Sequence, residues 1–318
     1  MKKKPFPRIK KAVIAAAGYG TRFLPATKNQ PKEMLPIIDK PIIHHLVEEC
    51  VASGITDIIM VTRSGQGIME DYFDSHVELE HLLDTNGKEA LLKTVREIPQ
   101  LANFVYVRQK KNLPYGNGTP LLVAAPLIDD NEAFVYMFGD DLTIAKTPVT
   151  KQLIDVYYKE RPSAILAVQE VPDSEVQRYG TVEYKQSLAS QMTGKQSLAS
   201  RMTGKKGAKN KFEIKSLLEK MPLGKNPSNM AQFGRFVFGY DVIKEVKKTQ
   251  TGIDNELWVA DVLNNLAKSG KRVIAQPIEG EWLTTGDPLR YMKTQVRFAL
   301  EREDIGAEFS EFLRGLKL

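Results

Sequence analysis

The chain is predicted to be an α/β protein of three layers, with helices on both faces of a central mixed sheet that is mostly parallel. Three observations predict it. Short apolar runs alternate with stretches of helical period through the first half. The first run, residues 12–17, stops at a glycine turn, Gly18-Tyr19-Gly20-Thr21-Arg22. The 318 residues, 42% hydrophobic and 26% charged, suffice for one large core or two modest ones. Strands alternating with helices pair in parallel, lie buried on both faces, and bind ligands at their carboxyl ends.

The elements follow in order. Strands are expected at 12–17, 57–62, 104–108 and 133–138, each a short run rich in β-branched, aromatic or small apolar residues. Residues 41–52 set Ile42, Ile43, Leu46, Val47, Cys50 and Val51 on one helical face, with Gly54 as a stop signal. Residues 76–98 read as helix, broken at Gly87. The second half is more mixed. Strands are expected at 164–171, 181–184, 212–218, 232–238 and 273–277, and helices at 241–248 and 255–269. Residues 288–302 and 306–316 read as terminal helices, a C-terminal helical extension. The glycine turn, Gln109 and Asp140 each fall just after an expected strand, so one cleft could hold all three.

The glycine turn carries the chemistry. Glycine has no Cβ to keep a phosphate chain from backbone N–H groups. Arg22 and, ten residues on, Lys32 in Pro31-Lys32-Glu33-Met34 would add charge. The third glycine of the dinucleotide fingerprint is absent, since Phe23 stands there, and no Walker pattern occurs. On these residues alone, a phosphate cradle and a βα turn with two solvated cations both remain open. His44 and His45 are adjacent on a helix and point apart, and His76 and His81 have no metal-ligand spacing. One cysteine, Cys50, excludes an internal disulfide and reads as a buried thiol.

The pattern A-A-G-x-G-T-R-F-L-P-A-T-K, with P-K-E-M-L-P-I-x-D-K-P after it, resembles the sugar nucleotidyltransferases, and F-L-P-A-T-K resembles their uridylyltransferase branch. The resemblance covers about residues 10–300. It implies a Rossmann-like fold of the nucleotide-diphospho-sugar transferase type, and uridylyl transfer from UTP to glucose 1-phosphate, giving UDP-glucose and pyrophosphate. It implies that Ala16, Ala17, Gly18, Gly20 and Thr21 cradle the nucleotide while Arg22 and Lys32 act as catalytic cations. Gln109 and Gly116 would meet the base. Gly180, Glu219 and Lys220 would meet the sugar and its phosphate. Asp140 would hold a Mg²⁺ ion. A second metal-ligating aspartate of the family is replaced here by Thr284, in Trp282-Leu283-Thr284-Thr285-Gly286. A hydroxyl is a poorer ligand for a hard dication than a carboxylate. Thr284 therefore keeps open a weakly active sugar-nucleotide-binding homologue, a regulator or partner subunit. Transfer to other substrates, such as dTTP or another hexose 1-phosphate, is a third reading.

The implied organisation is a tail at 1–10, a transferase domain at 11–300 and a C-terminal helix at 301–318. The domain divides into a nucleotide-binding half at 11–150 and a sugar-binding half at 151–300. A homo-oligomer, dimer or tetramer, is also implied. No apolar run approaches the ~20 residues that span a bilayer. The basic start leads straight into the first strand, so a cytoplasmic location is expected.

One segment stands apart. KQSLASQMTG at 185–194 is followed by KQSLASRMTG at 195–204, differing only at Gln191 and Arg201. The basic insertion 185–211 is expected to be a mobile surface loop. Residues 185–215 hold eight Lys/Arg and one acid. Removing them from the 45 basic and 39 acidic residues of the chain leaves 37 and 38. The net charge of +6 thus belongs to one segment, which argues against nucleic acid as a partner of the fold.

Overall fold

The computed structural model describes residues 8–65, 67–185, 212–222 and 224–316. Apart from Lys185, the tandem decapeptides and the loop expected of them lie outside the described residues.

Four parallel strands form the spine. Lys11–Ala15 (β1) lies between Asp57–Thr62 (β4) and Phe134–Phe138 (β6), and β4 pairs with Asn103–Arg108 (β5). Met230–Phe238 (β11) adds to β6 antiparallel, so the sheet is mixed. Beyond β11 the sheet forks. One arm holds Thr181–Tyr184 (β9) and Ile214–Leu218 (β10); the other holds Ala164–Glu170 (β8) and Val273–Pro277 (β12).

Both faces are covered, as the apolar runs require. Val13, Ile59, Val61, Phe134 and Tyr136 face one core with helix Val259–Lys268. Ala12, Ile14, Ile58, Met60, Val135 and Met137 face the other, with Ile42–Ala52 (α1) and Val149–Glu160. Strict alternation along strands that are apolar throughout gives the three layers. Cys50 is buried in the second core, and burial pushes its thiol up.

The structure adjusts several boundaries. β1 ends at Ala15 rather than 17, because the chain turns out of the ladder; only Ala16 N–H still reaches Val61 O, at 2.9 Å. The helical stretch after residue 76 splits into Val77–Thr85 and Glu89–Glu97, with Gly87 at φ +64° between them. His76 caps the first of these, its Nδ1 accepting from Leu79 N–H. Helices Thr119–Ala124 and Val149–Glu160 were not foreseen. Nor was a two-stranded antiparallel ribbon of Asp141–Ile144 (β7) and Glu281–Thr284 (β13). Its strands are only four residues long, too short to declare a period. This ribbon decides the geometry of the site.

Candidate active site

Parallel register brings the carboxyl ends of β6, β1, β4 and β5 to one edge. Asp140, the glycine turn, Arg63 and Gln109 follow those strands there. The turn is built for close approach. Gly20 adopts φ +62°, and a Cβ on it would stand 3.2 Å from Thr27 and 3.3 Å from Lys32. Thr27 Oγ1 donates to Gly20 O at 2.7 Å and fixes the loop from below. Arg22 follows in a single 3₁₀ turn, its Nη1 donating to Gly286 O at 3.1 Å.

Lys32 and Asp140 meet under the turn, with Nζ 2.6 Å from Oδ2. Burial acts to lower the lysine, but Asp140 and Glu33 hold the ammonium well above its usual range. Asp140 is held low in return: burial opposes its charge and Lys32 outweighs burial. Glu33 is fully buried, with Oε1 4.0 Å from Lys32 Nζ and Oε2 without a hydrogen-bond partner. Burial pushes its carboxyl up to about 7, and Lys32 limits the rise. Nothing in Pro31-Lys32-Glu33-Met34 marks Glu33 for this place in the core.

The ribbon sets Thr284 opposite Asp141 and beside Asp140. A Cβ on Gly286 would stand 3.4 Å from both Thr284 Oγ1 and Asp140 Oδ2, and 3.7 Å from Arg22 Nη1. Thr284 therefore shares the space of Asp140 and Arg22. Asp141 does not. Its Oδ1 accepts from Trp282 Nε1 at 2.8 Å and its Oδ2 from Gly234 N–H at 2.9 Å. Burial, with Asp140 beside it, pushes Asp141 up to about 6. Asp287 is also committed, capping helix Pro288–Glu301 through Arg290 N–H and pairing with Arg290 Nη1 at 2.7 Å. Among the described residues no three His, Cys, Asp or Glu side chains converge as a cage. One carboxylate beside one hydroxyl fits a magnesium ion that takes most of its ligands from phosphates and water.

Gly234-Arg235, which the family resemblance groups with Pro227-Ser228-Asn229 at the sugar, instead turns its arginine into an ion pair in the core behind this turn. Arg235 is fully buried and reaches Glu49 from Nε at 3.1 Å and from Nη2 at 2.8 Å. Its Nη2 also donates to Asp141 O at 2.6 Å, and its Nη1 to Gly234 O. The Gly234-Arg235 dipeptide thus braces the Asp140–Asp141 turn from the core side.

Gln109 stands after β5, its N–H donating to Thr62 O at 2.7 Å. Gly116 adopts φ +116°; a Cβ there would lie 2.3 Å from Leu257 O. Leu257 N–H donates to Tyr115 O and Gly118 N–H to Leu257 O, so this loop is stitched to the segment before helix Val259–Lys268. Three residues with no role implied by the sequence join the loops. Arg63 Cζ lies 4.6 Å from the ring centre of Tyr19, and the Tyr19 and Tyr115 rings are 6.5 Å apart.

The expected sugar group assembles nearby. A Cβ on Gly180 would stand 2.8 Å from Glu219 Oε1, and Gln232 Nε2 donates to that oxygen at 3.4 Å. Burial pushes Glu219 up to about 7, with Lys220 pulling it back. Lys220 is exposed, at φ +45°, with Nζ 5.0 Å from the Trp258 ring centre. Trp282 links this group to the first: Tyr179 packs edge-on against it at 4.7 Å, and its Nε1 holds Asp141.

Comparison with known proteins agrees with this fold. A family model described as nucleotidyl transferase matches residues 11–299. A protein of Bacillus subtilis (strain 168) named UTP–glucose-1-phosphate uridylyltransferase is 38% identical over 309 residues, covering 97% of either chain. Among solved structures, a UDP-glucose pyrophosphorylase complexed with UDP-glucose superposes with TM-score 0.76 at 34% identity, covering 93% of this chain and all of the other. A UTP-bound UGPase from Acinetobacter baumannii gives 0.80 at 31% identity, covering 98% of this chain and all of the other.

Proposed function

We propose, from the premise that this chain belongs to the nucleotidyl transferase family, that it transfers a uridylyl group from UTP to glucose 1-phosphate. The products are UDP-glucose and pyrophosphate. The observation that carries the reading is the part-buried Lys32–Asp140 pair beneath the glycine turn. It lies in a chain that aligns almost end to end with relatives bound to UTP and to UDP-glucose.

The chemistry needs no protein nucleophile. An oxygen of the sugar phosphate attacks the α-phosphorus of UTP. The new P–O bond forms as the α–β bridging bond breaks, and pyrophosphate leaves with the electron pair. The protein's work is to hold two polyanions in line and to stabilise the leaving charge. The backbone of Ala16, Ala17, Gly18, Gly20 and Thr21 cradles the phosphates, and Arg22 holds the β and γ groups. Lys32, a compact point charge, turns from Asp140 toward the reacting phosphates. Asp140, with the Thr284 hydroxyl beside it, would hold Mg²⁺. When bound, the ion neutralises charge on the leaving group. Gln109, whose amide offers both donor and acceptor, reads the uracil edge with the backbone at Gly116. Glu219, part-buried against Gly180, takes sugar hydroxyls, and Lys220 takes the sugar phosphate.

We infer the same division of labour for the chain: residues 11–150 serve the nucleotide and 151–300 the sugar. A homo-oligomer in the cytoplasm belongs to this reading. Among the described residues no helix is long and apolar enough to cross a membrane.

Pyrophosphate release with UTP and glucose 1-phosphate, with and without Mg²⁺, tests the proposal. Turnover should require Mg²⁺ and disappear in Lys32→Ala. Thr284 beside Asp140 favours one competing reading, a sugar-nucleotide binder with little turnover. UDP-glucose binding without pyrophosphate release would establish that reading. Faster turnover with dTTP or another hexose 1-phosphate would reassign the substrates.

A further inference from the structure

Two tyrosines stand in water at the nucleotide side of the cleft. Tyr19, between the glycines of the turn, is 52% exposed, and Tyr115, beside Gly116, is 51% exposed. Their rings are near-parallel, tilted by 18°, with centres 6.5 Å apart. The backbones that carry them are fixed. Thr27 Oγ1 holds Gly20 O at 2.7 Å, and Tyr115 O accepts from Leu257 N–H at 2.7 Å. Arg63 steadies Tyr19, with Cζ 4.6 Å from the ring centre and Nε 3.5 Å from Gly18 O.

Large aromatic rings are normally buried for their area, and a hydroxyl tip does not require this much exposure. Two such rings on anchored loops, parallel and uncovered, form a surface that a flat π-system would cover. A phosphate has no face to stack.

We propose that Tyr19 and Tyr115 form an aromatic clamp that holds the nucleobase of the nucleotide substrate by stacking. The inference rests on the reading above that the cleft takes UTP. It assigns the two rings a task distinct from that of Gln109. Stacking accepts any base, since every base has a π-face. The clamp therefore supplies affinity, and the choice of uracil is left to the polar edge.

Calorimetric titration of UTP and of inorganic tripolyphosphate tests it, using Tyr19→Ala, Tyr115→Ala and the two Phe variants. Each Ala variant should bind UTP about 5- to 160-fold more weakly, the range for one base on one aromatic ring. Tripolyphosphate affinity should stay unchanged, and both Phe variants should bind UTP as the native chain does. Unchanged UTP binding in both Ala variants overturns the clamp. So does equal loss of UTP and tripolyphosphate, which would mean loop collapse, and so does a Phe variant as weak as its Ala counterpart. Weaker glucose 1-phosphate binding with UTP spared would place the rings at the sugar and overturn it too. The two proposals fail separately. No pyrophosphate release by the native chain sinks the transferase reading. A selective loss of UTP affinity in the Ala variants still establishes the clamp.

Discussion

Arg235→Met should destabilise the chain strongly and make its stability depend on pH in a new way. The native guanidinium is fully buried and bonds both Glu49 oxygens, Asp141 O and Gly234 O. Methionine fills much of the stem volume but returns none of these bonds. Glu49 keeps Thr150 N–H at 3.0 Å and the hydroxyls of Thr150 and Thr143. It becomes a buried carboxylate with no opposite charge, which costs about 3–5 kcal/mol. With a urea dependence of about 3 kcal/mol per M, the unfolding midpoint should fall by roughly 1–2 M. In the native chain burial works against the Glu49 charge and Arg235 overrides it, so the carboxyl lies below its ordinary 4.5. That stabilisation is present above pH 4.5 and is lost as pH falls through the folded value. Without Arg235, only the threonine hydrogen bonds oppose burial and the carboxyl rises, so the variant should lose stability as pH climbs from about 4.5. Urea unfolding at pH 5 and pH 8 reads both effects, and a Glu49→Leu/Arg235→Met double variant should recover most of the loss. A single variant with the native midpoint at pH 8, or with the native pH slope, would refute the argument.

Four further outcomes follow from the site. Glu33, raised to about 7, binds its proton more tightly folded than unfolded, so it erodes native stability as pH rises from 4.5 to 7. Glu33→Gln should be more stable than the native chain at pH 8 and lose that advantage by pH 5; parallel urea midpoints across this window would sink the assignment. Gly116→Ala forces a Cβ against the Leu257 backbone at φ +116°, so UTP affinity and thermal midpoint should both drop. Gly180→Ala displaces Glu219 instead, and should raise the KM for glucose 1-phosphate while sparing that for UTP; equal changes in both would contradict separate subsites. Thr284→Asp adds a carboxylate beside Asp140, and Mn²⁺ titration followed by electron paramagnetic resonance should show tighter binding. Unchanged Mn²⁺ affinity would remove Thr284 from the metal's surroundings.

Much of the scaffold was legible because its causes are local. β4 was placed by the apolar run 58–61 within it, and the helix after residue 41 by the spacing of its buried face. The break at Gly87 needed only a residue at ease with φ +64°. The glycine turn could be read as a cradle because closeness to a phosphate depends on what glycine lacks. Helix Val149–Glu160 went unread although its buried face, Val149, Thr150, Leu153, Ile154 and Tyr157, keeps a helical spacing.

Charge placement was not local. Nothing in Gly139-Asp140-Asp141 says which aspartate turns to the cleft. That was decided by Trp282 and Gly234, which hold Asp141, and by Lys32, which holds Asp140. The arginine of Gly234-Arg235 could equally have faced a ligand; its place in the core depends on Glu49, 186 residues away. Thr284 reaches Asp140 through one short ribbon, whose register sets it opposite Asp141. The sequence by itself determined the glycine turn, the strands that aim it and the residue types available for the chemistry, since backbone conformation and apolar period act within a few residues. Tertiary structure alone decided which carboxylates are neutralised, which are turned away and which stay unpartnered. A buried charge is tolerable only where distant parts of the chain bring it an opposite charge or a donor.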